Sequence, residues 1–159
     1  MKKLVVSVFL VLLSSAHLFA QGGPGGGHSG GSSTGGGSSY SIGSTSSTGY
    51  SQSSGTNSVS GQTYTSTGSD ENAVQVTGGT FTMTDCTITK TGDYSASSDN
   101  TSFYGVNSAV YVGSTSAATT LTMTGGTITT NAKGANAAFA YGYGVLNISD
   151  VTIRNSANL

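Results

Sequence analysis

The chain has one cysteine, one proline, no tryptophan and few charges: only 7% of its 159 residues are Asp, Glu, Lys or Arg. A single cysteine excludes an internal disulfide framework and any metal site built from several thiolates. Five basic residues are too few for the basic face that grips a nucleic-acid backbone. Near-absence of proline, with glycines that keep no three-residue period, excludes collagen. Gly, Ser and Thr are abundant instead, at 25, 28 and 24 residues. They are unevenly spread, and their distribution divides the chain into three parts.

Residues 1–20 read as a secretory signal peptide. Met1-Lys2-Lys3 is a basic start, Leu4 to Leu13 is apolar apart from Ser7, and small residues follow, with cleavage expected after Ala16 or Ala20. The apolar run is about half the roughly 20 residues that a transmembrane helix needs, so no transmembrane helix is expected. Removing the leader leaves Lys90, Lys133 and Arg154 against six acidic residues, a net charge of −3.

Residues 21–56 read as a flexible linker. Gly-Gly-Pro-Gly-Gly-Gly and similar Gly/Ser runs offer almost nothing to bury against the entropy of an ordered chain. Tyr40 and Tyr50 are read as linker residues.

Residues 57–159 repeat. Three blocks align without gaps: Thr80-Phe-Thr-Met-Thr-Asp-Cys-Thr-Ile-Thr, Thr120-Leu-Thr-Met-Thr-Gly-Gly-Thr-Ile-Thr and Val145-Leu-Asn-Ile-Ser-Asp-Val-Thr-Ile-Arg; a weaker copy begins at Val59. A second apolar alternation precedes each block, at Ala73-Val-Gln-Val, Ala109-Val-Tyr-Val and Ala137-Ala-Phe-Ala. Period-two alternation with Thr on the outward positions predicts short strands. A core ladder of Met83, Met123 and Ile148, with Ile88, Ile128 and Ile153 beside it, is expected to face inward, and Cys86 with it as a small buried thiol. The alternation slips once in each block. The slip places Gly61, Asp85, Gly125 and Asp150 at a structural corner, and Gly and Asp are among the few residues that tolerate left-handed backbone angles.

Three strands and three corners in about 24 residues predict an all-β solenoid of about four rungs, a parallel β-helix in which neighbouring rungs close one another's core. A flat sandwich would need hairpin turns, and no Asn-Gly or Asp-Gly pair separates the strands. The spacing between the second and third copies is longer, with the excess between Thr91 and Ser108, and a smaller extension at Gly113 to Thr119. Insertions in a solenoid form loops, often on a binding face.

The rung pattern, with its Gly-Gly-Thr-(Phe/Ile)-Thr motifs at Gly78 to Thr82 and Gly125 to Thr129, resembles the right-handed parallel β-helix, or pectin-lyase-like, class. More narrowly it resembles secreted bacterial surface proteins of the adhesin-like or polymorphic outer-membrane type. The resemblance implies the right hand, a secreted or cell-surface location, and binding of host or matrix glycans or proteins. Because the chain stops just after a strand, the repeats are expected to be truncated at the C-terminus, with further β-helix rungs of the full-length chain as neighbours.

Catalysis is weighed against this. Polysaccharide-cleaving enzymes of the class carry their carboxylates and bases near the first strand of each rung, and here those strands offer neither. Asp85 and Asp150 share a corner two rungs apart, a separation near that of an inverting glycosidase pair, but Gly125 holds the same corner between them and argues for a backbone role. The alternative function is therefore a polysaccharide lyase, glycoside hydrolase or carbohydrate-binding module with its active residues beyond Leu159. The expected ligand-contact loop is Asp93, Tyr94, Asp99, Asn100, Phe103 and Tyr104: aromatics stack on sugars, and the carboxylates offer a weak calcium site. No other cofactor is expected.

Overall fold

A computed structural model describes residues 46–95 and 98–156. Residues 1–45, on which the expected signal peptide and most of the expected linker fall, and residues 96–97 and 157–159 lie outside the described residues. Among the described residues the fold is all-β apart from one short helix. In chain order the elements are β1 (Ser46–Gln52), β2 (Thr56–Ser60), β3 (Thr63–Ser66), β4 (Glu71–Val76), β5 (Gly79–Thr84), β6 (Thr87–Lys90), α1 (Ser98–Tyr104), β7 (Val110–Thr124), β8 (Thr127–Thr130), β9 (Ala138–Ser149) and β10 (Thr152–Asn155).

Every strand pairing is parallel, and the strands fall into two curled sheets. The four-stranded sheet runs β10-β8-β6-β3. In the other, β7 and β9 are long enough to pair twice: the start of β7 lies on β4 and its end on β5, while β9 follows β7 along both parts. The registers give continuous rows of equivalent residues. One runs Asn57, Phe81, Leu121, Leu146; the next runs Val59, Met83, Met123, Ile148; in the smaller sheet Tyr64, Ile88, Ile128 and Ile153 align. Phe81, Met83, Ile88, Leu121, Met123, Ile128 and Cys86 are fully buried, whereas Ile153 at the end of its row is 50% exposed. Thr at the intervening positions keeps the other face polar, so burial alternates along β5 and β8 as their composition requires.

The bend between the two sheets is built from left-handed residues. Gly61, Asp85, Gly125 and Asp150 have φ of 63, 51, 70 and 56°. The Gly61, Asp85 and Gly125 amides each donate at 2.9 Å to the next strand's carbonyl, of Thr84, Thr124 and Ser149. A Cβ on Gly125 would lie 2.1 Å from Asp85 Oδ1, so the carboxylate occupies the space that the glycine leaves. Asp85→Gly is therefore expected to shift the thermal midpoint by no more than a few degrees, since glycine adopts this φ without a steric cost. Asp85→Val is expected to lose about 1–2 kcal/mol, read by urea denaturation, because a β-branched residue resists left-handed angles.

Three features differ from the sequence expectation. First, β1 occupies Ser46–Gln52, inside the segment 21–56 read as linker. Tyr50 stacks on Phe81 at 4.2 Å, and Gln52 Nε2 donates to the carbonyls of Gly55 and Thr80 at 3.1 Å and Gly78 at 3.4 Å. One aromatic and one amide hold a strand that its Gly/Ser composition opposes. Second, Gly113 to Thr119 is part of β7 rather than a loop; the register against β9 shifts between Ser114 and Thr119, and Ser114 Oγ accepts the Ser116 and Ala117 amides at 3.3 and 3.2 Å. Third, the insertion contains a helix, α1.

A buried lysine lies inside one corner. Register places Ser66, Lys90, Thr130 and Asn155 in one inward row of the smaller sheet. Lys90 is fully buried. Its Nζ donates to the Gly68 carbonyl at 2.6 Å and the Gly92 carbonyl at 2.8 Å. Asn107 Nδ2 donates to the same Gly92 carbonyl at 2.9 Å. The cation thus replaces solvent for two turn carbonyls that no strand reaches.

Candidate functional site

The long insertion folds over the outer face of the first strand column. Register aligns Ser51, Gln75, Tyr111 and Phe139 in one outward row. Alternation along β4 and β7 predicts exposure at these outward positions, yet Gln75 and Tyr111 are buried. Over Tyr111 the cover is the turn after α1. Thr101 and Asn100 of α1 are buried, Asn136 Nδ2 donates to the Thr101 carbonyl at 2.8 Å, and the Val106 amide donates to the Asn100 carbonyl at 3.3 Å. Gly105, at φ 68°, lies flat on two rings: a Cβ there would come within 2.4 Å of Phe139 and 2.9 Å of Tyr111. Tyr111 and Phe139 are nearly parallel, 6.4 Å apart and 7° between planes. These contacts seat the insertion on the sheet.

Beyond this seat lie further aromatic residues of α1 and β9. Tyr104 at the end of α1 meets Tyr141 of β9, with ring centroids 5.9 Å apart. Phe103 is 65% exposed and Tyr143, two residues along β9 from Tyr141, is 61% exposed. Tyr94, 37% exposed, lays its ring against Gly134. Of the expected contact residues, the structure joins Tyr104 to β9 through Tyr141, and Phe103 is exposed on α1. Asp93 is turned elsewhere: its Oδ1 accepts the Lys133 amide at 2.8 Å and ties the insertion to the next turn. Asp70 does the same further back, accepting the Ser95 amide at 2.9 Å and the Ser95 hydroxyl. Asn100 is buried under the helix, and the side chain of Asp99 lies outside the described residues. No group of three or more His, Cys, Asp or Glu converges among the described residues. The carboxylates of Asp85 and Asp150 sit at the corner between the sheets, on different elements from these rings.

Tyr111, Phe139, Gly105, Tyr141 and Tyr143 escaped the sequence reading. One signal was available. Aromatic residues replace the usual outward Thr on two successive strands, which marks an outer row that something covers.

Burial raises the Tyr111 hydroxyl to about 12, with Tyr141 adding to the effect. That hydroxyl has no hydrogen-bond partner among the described residues. The sign follows. The folded state keeps the proton over a range where an unfolded tyrosine, titrating at 10.0, releases it. Stability from this group is full below pH 10 and is lost as pH rises towards 12. Tyr111→Phe is expected to be neutral or to stabilise by about 1 kcal/mol near neutral pH, since it removes an unpaired buried hydroxyl. It is also expected to flatten the loss of stability between pH 10 and 12, measured by urea denaturation at a series of pH values.

No family model, curated protein or solved structure matches the chain.

Proposed function

We propose that the chain is a right-handed parallel β-helix of four rungs, exported from the cell, whose role is structural and adhesive and whose insertion face binds glycans of a host or matrix surface. The observation that carries the reading is the Tyr104–Tyr141 ring contact between α1 and β9, with exposed rings at Phe103 of α1 and Tyr143 of β9, in a sequence otherwise rich in threonine and serine. Exposed rings on a polar, weakly charged surface suit sugars, whose C–H faces stack on aromatics while their hydroxyls keep hydrogen bonds. The parallel pairing and the aligned rows of residues support the β-helix. The basic, apolar, small-residue order of residues 1–20 supports export. Among the described residues no helix is long and apolar enough to cross a membrane.

A glycan array probed with the full chain tests this. Binding is expected, and Phe103→Ala and Tyr143→Ala are each expected to weaken it by about 1–2 kcal/mol without changing the circular dichroism spectrum. Turnover of a polysaccharide in a lyase or hydrolase assay would support the enzymatic alternative instead. No binding to any glycan would overturn the adhesive reading of this face.

A further inference from the structure

The outer face of the four-stranded sheet repeats one residue type. Its inward rows are Tyr64, Ile88, Ile128, Ile153 and Ser66, Lys90, Thr130, Asn155. The outward positions that alternate with them are Thr63 and Thr65 on β3, Thr87 and Thr89 on β6, and Thr127 and Thr129 on β8. β10 continues the first outward row with Thr152 and ends the second with Arg154. The pairings of this sheet run without a register shift, unlike those of β1 with β4 and of β7 with β9. Equivalent threonines therefore recur about 4.8 Å apart across the strands and about 6.6–6.8 Å apart along each strand.

Three features set this grid apart from ordinary strand surface. The first is its uniformity. Serine is abundant in the chain, yet none of these outward positions is serine, nor Val, Ile or Tyr, which strands also favour. A β-branched side chain is stiff at χ1, so the directions of hydroxyl and methyl repeat with the backbone. The second is that the fold does not use these hydroxyls: among the described residues none of these threonine side chains bonds another protein group. On the other sheet, by contrast, Thr124 Oγ1 meets Ser149 Oγ at 3.2 Å and Thr122 Oγ1 accepts from Asn147 Nδ2 at 3.5 Å. The third is charge. Arg154 is the only charged side chain on this face, since Lys90 lies on an inward row and is fully buried.

A hydroxyl both donates and accepts, as water does, and an ordered water on it is nearly as good as a direct hydrogen bond. Waters held on a stiff grid take up the two repeats of its backbone. Those repeats lie close to the spacings of oxygen atoms on a prism face of ice, and the threonine methyls fill the gaps between the waters. Ile88 and Ile128, fully buried beneath, hold the platform in place. We propose that this face binds ice, its threonines ordering a water layer that merges with the lattice of a growing crystal. The grid lies on a different sheet from Tyr141 and Tyr143 of β9, so it is separate from the glycan site of the insertion.

Thermal hysteresis and partitioning into slowly growing ice, both measured on the full chain, test this. Wild type is expected to open a gap between the melting and freezing points and to enter the ice. Thr89→Tyr and Thr129→Tyr each raise a ring in the middle of the grid. Both are expected to lose the gap and to be excluded from the ice, with an unchanged circular dichroism spectrum. Thr82→Tyr, on the outer face of the other sheet, is expected to keep both effects. A wild-type chain that shows no gap and is excluded from ice would overturn the proposal. So would Thr89 and Thr129 variants that fold and keep the full effect, or a Thr82 variant that loses as much as they do.

Discussion

Phe81→Ala is expected to lose about 3–5 kcal/mol of stability and to free β1 from the sheet. Phe81 is fully buried in the row Asn57, Phe81, Leu121, Leu146 and is the surface on which Tyr50 stacks. Removing the ring leaves a cavity that parallel strands on both sides cannot collapse to fill, because their backbones are held by the ladder. It also removes the seat of Tyr50. That residue's hydroxyl donates to Gln52 Oε1 and accepts from Asn57 Nδ2, each at 2.9 Å. The loss should therefore extend to the Gln52 hydrogen bonds to the Gly55, Gly78 and Thr80 carbonyls. Urea denaturation gives the magnitude, and amide exchange gives the place: amides of β1 are expected to lose protection before those of β5 and β7. Equal protection of β1 in the variant would show that Tyr50 is not its anchor.

Lys90→Ala is expected to be as damaging, at about 3–5 kcal/mol, for two reasons that Lys90→Met separates. Alanine deletes a buried four-carbon stem and leaves a void. Both variants also leave the Gly68 carbonyl without the ammonium, whereas Gly92 keeps Asn107. Methionine fills the volume, so its expected cost is about 1–3 kcal/mol, that of an orphaned buried carbonyl. The pH dependence isolates the charge. Burial lowers the Lys90 ammonium below its ordinary value, with Glu71, then Asp70 and Asp93, acting in the opposite direction. An unfolded lysine binds its proton up to about 10.5, whereas the folded one releases it earlier. Wild type is therefore expected to gain stability relative to Lys90→Met as pH rises from the lowered value towards 10.5. A neutral amine keeps two N–H groups, enough for both carbonyls. A constant difference between the two proteins over that range would mean that Lys90 titrates alike in both states.

The inward rows were legible because they depend on local patterning. Met83, Met123, Ile88 and Ile128 stand at period-two positions between threonines, and the parity slip at Asp85 and Gly125 marks a change of direction that needs left-handed φ. What patterning could not supply was anything set by contact between distant segments. Ser46 to Gln52 has the composition of a linker and forms a strand through contacts with distant residues: the ladder with β4, the Gln52 amide, and Tyr50 against Phe81. Lys90 enters the sequence reading only as a charge, and its burial depends on where the carbonyls of Gly68 and Gly92 converge. The aromatic contact was half visible: Phe103 and Tyr104 stand out in a loop of small residues, but that Tyr104 meets Tyr141 is set by the folded chain. Asp93 was readable as a loop carboxylate but not as the acceptor for Lys133, forty residues on.

The account rests on parallel strands stacked in one register, and paired cysteines test that register most directly. In a Cys86→Ala background, Thr80→Cys with Thr120→Cys places thiols on register partners of β5 and β7. Adjacent strands lie about 4.8 Å apart, within the range of about 4.4–6.8 Å between Cα atoms that a disulfide spans. Thr80→Cys with Thr122→Cys is offset by two residues and out of reach. Mild oxidation is expected to crosslink the first pair nearly completely and the second hardly at all. Crosslinking of the offset pair in preference to the aligned one would contradict the register and the stack built on it.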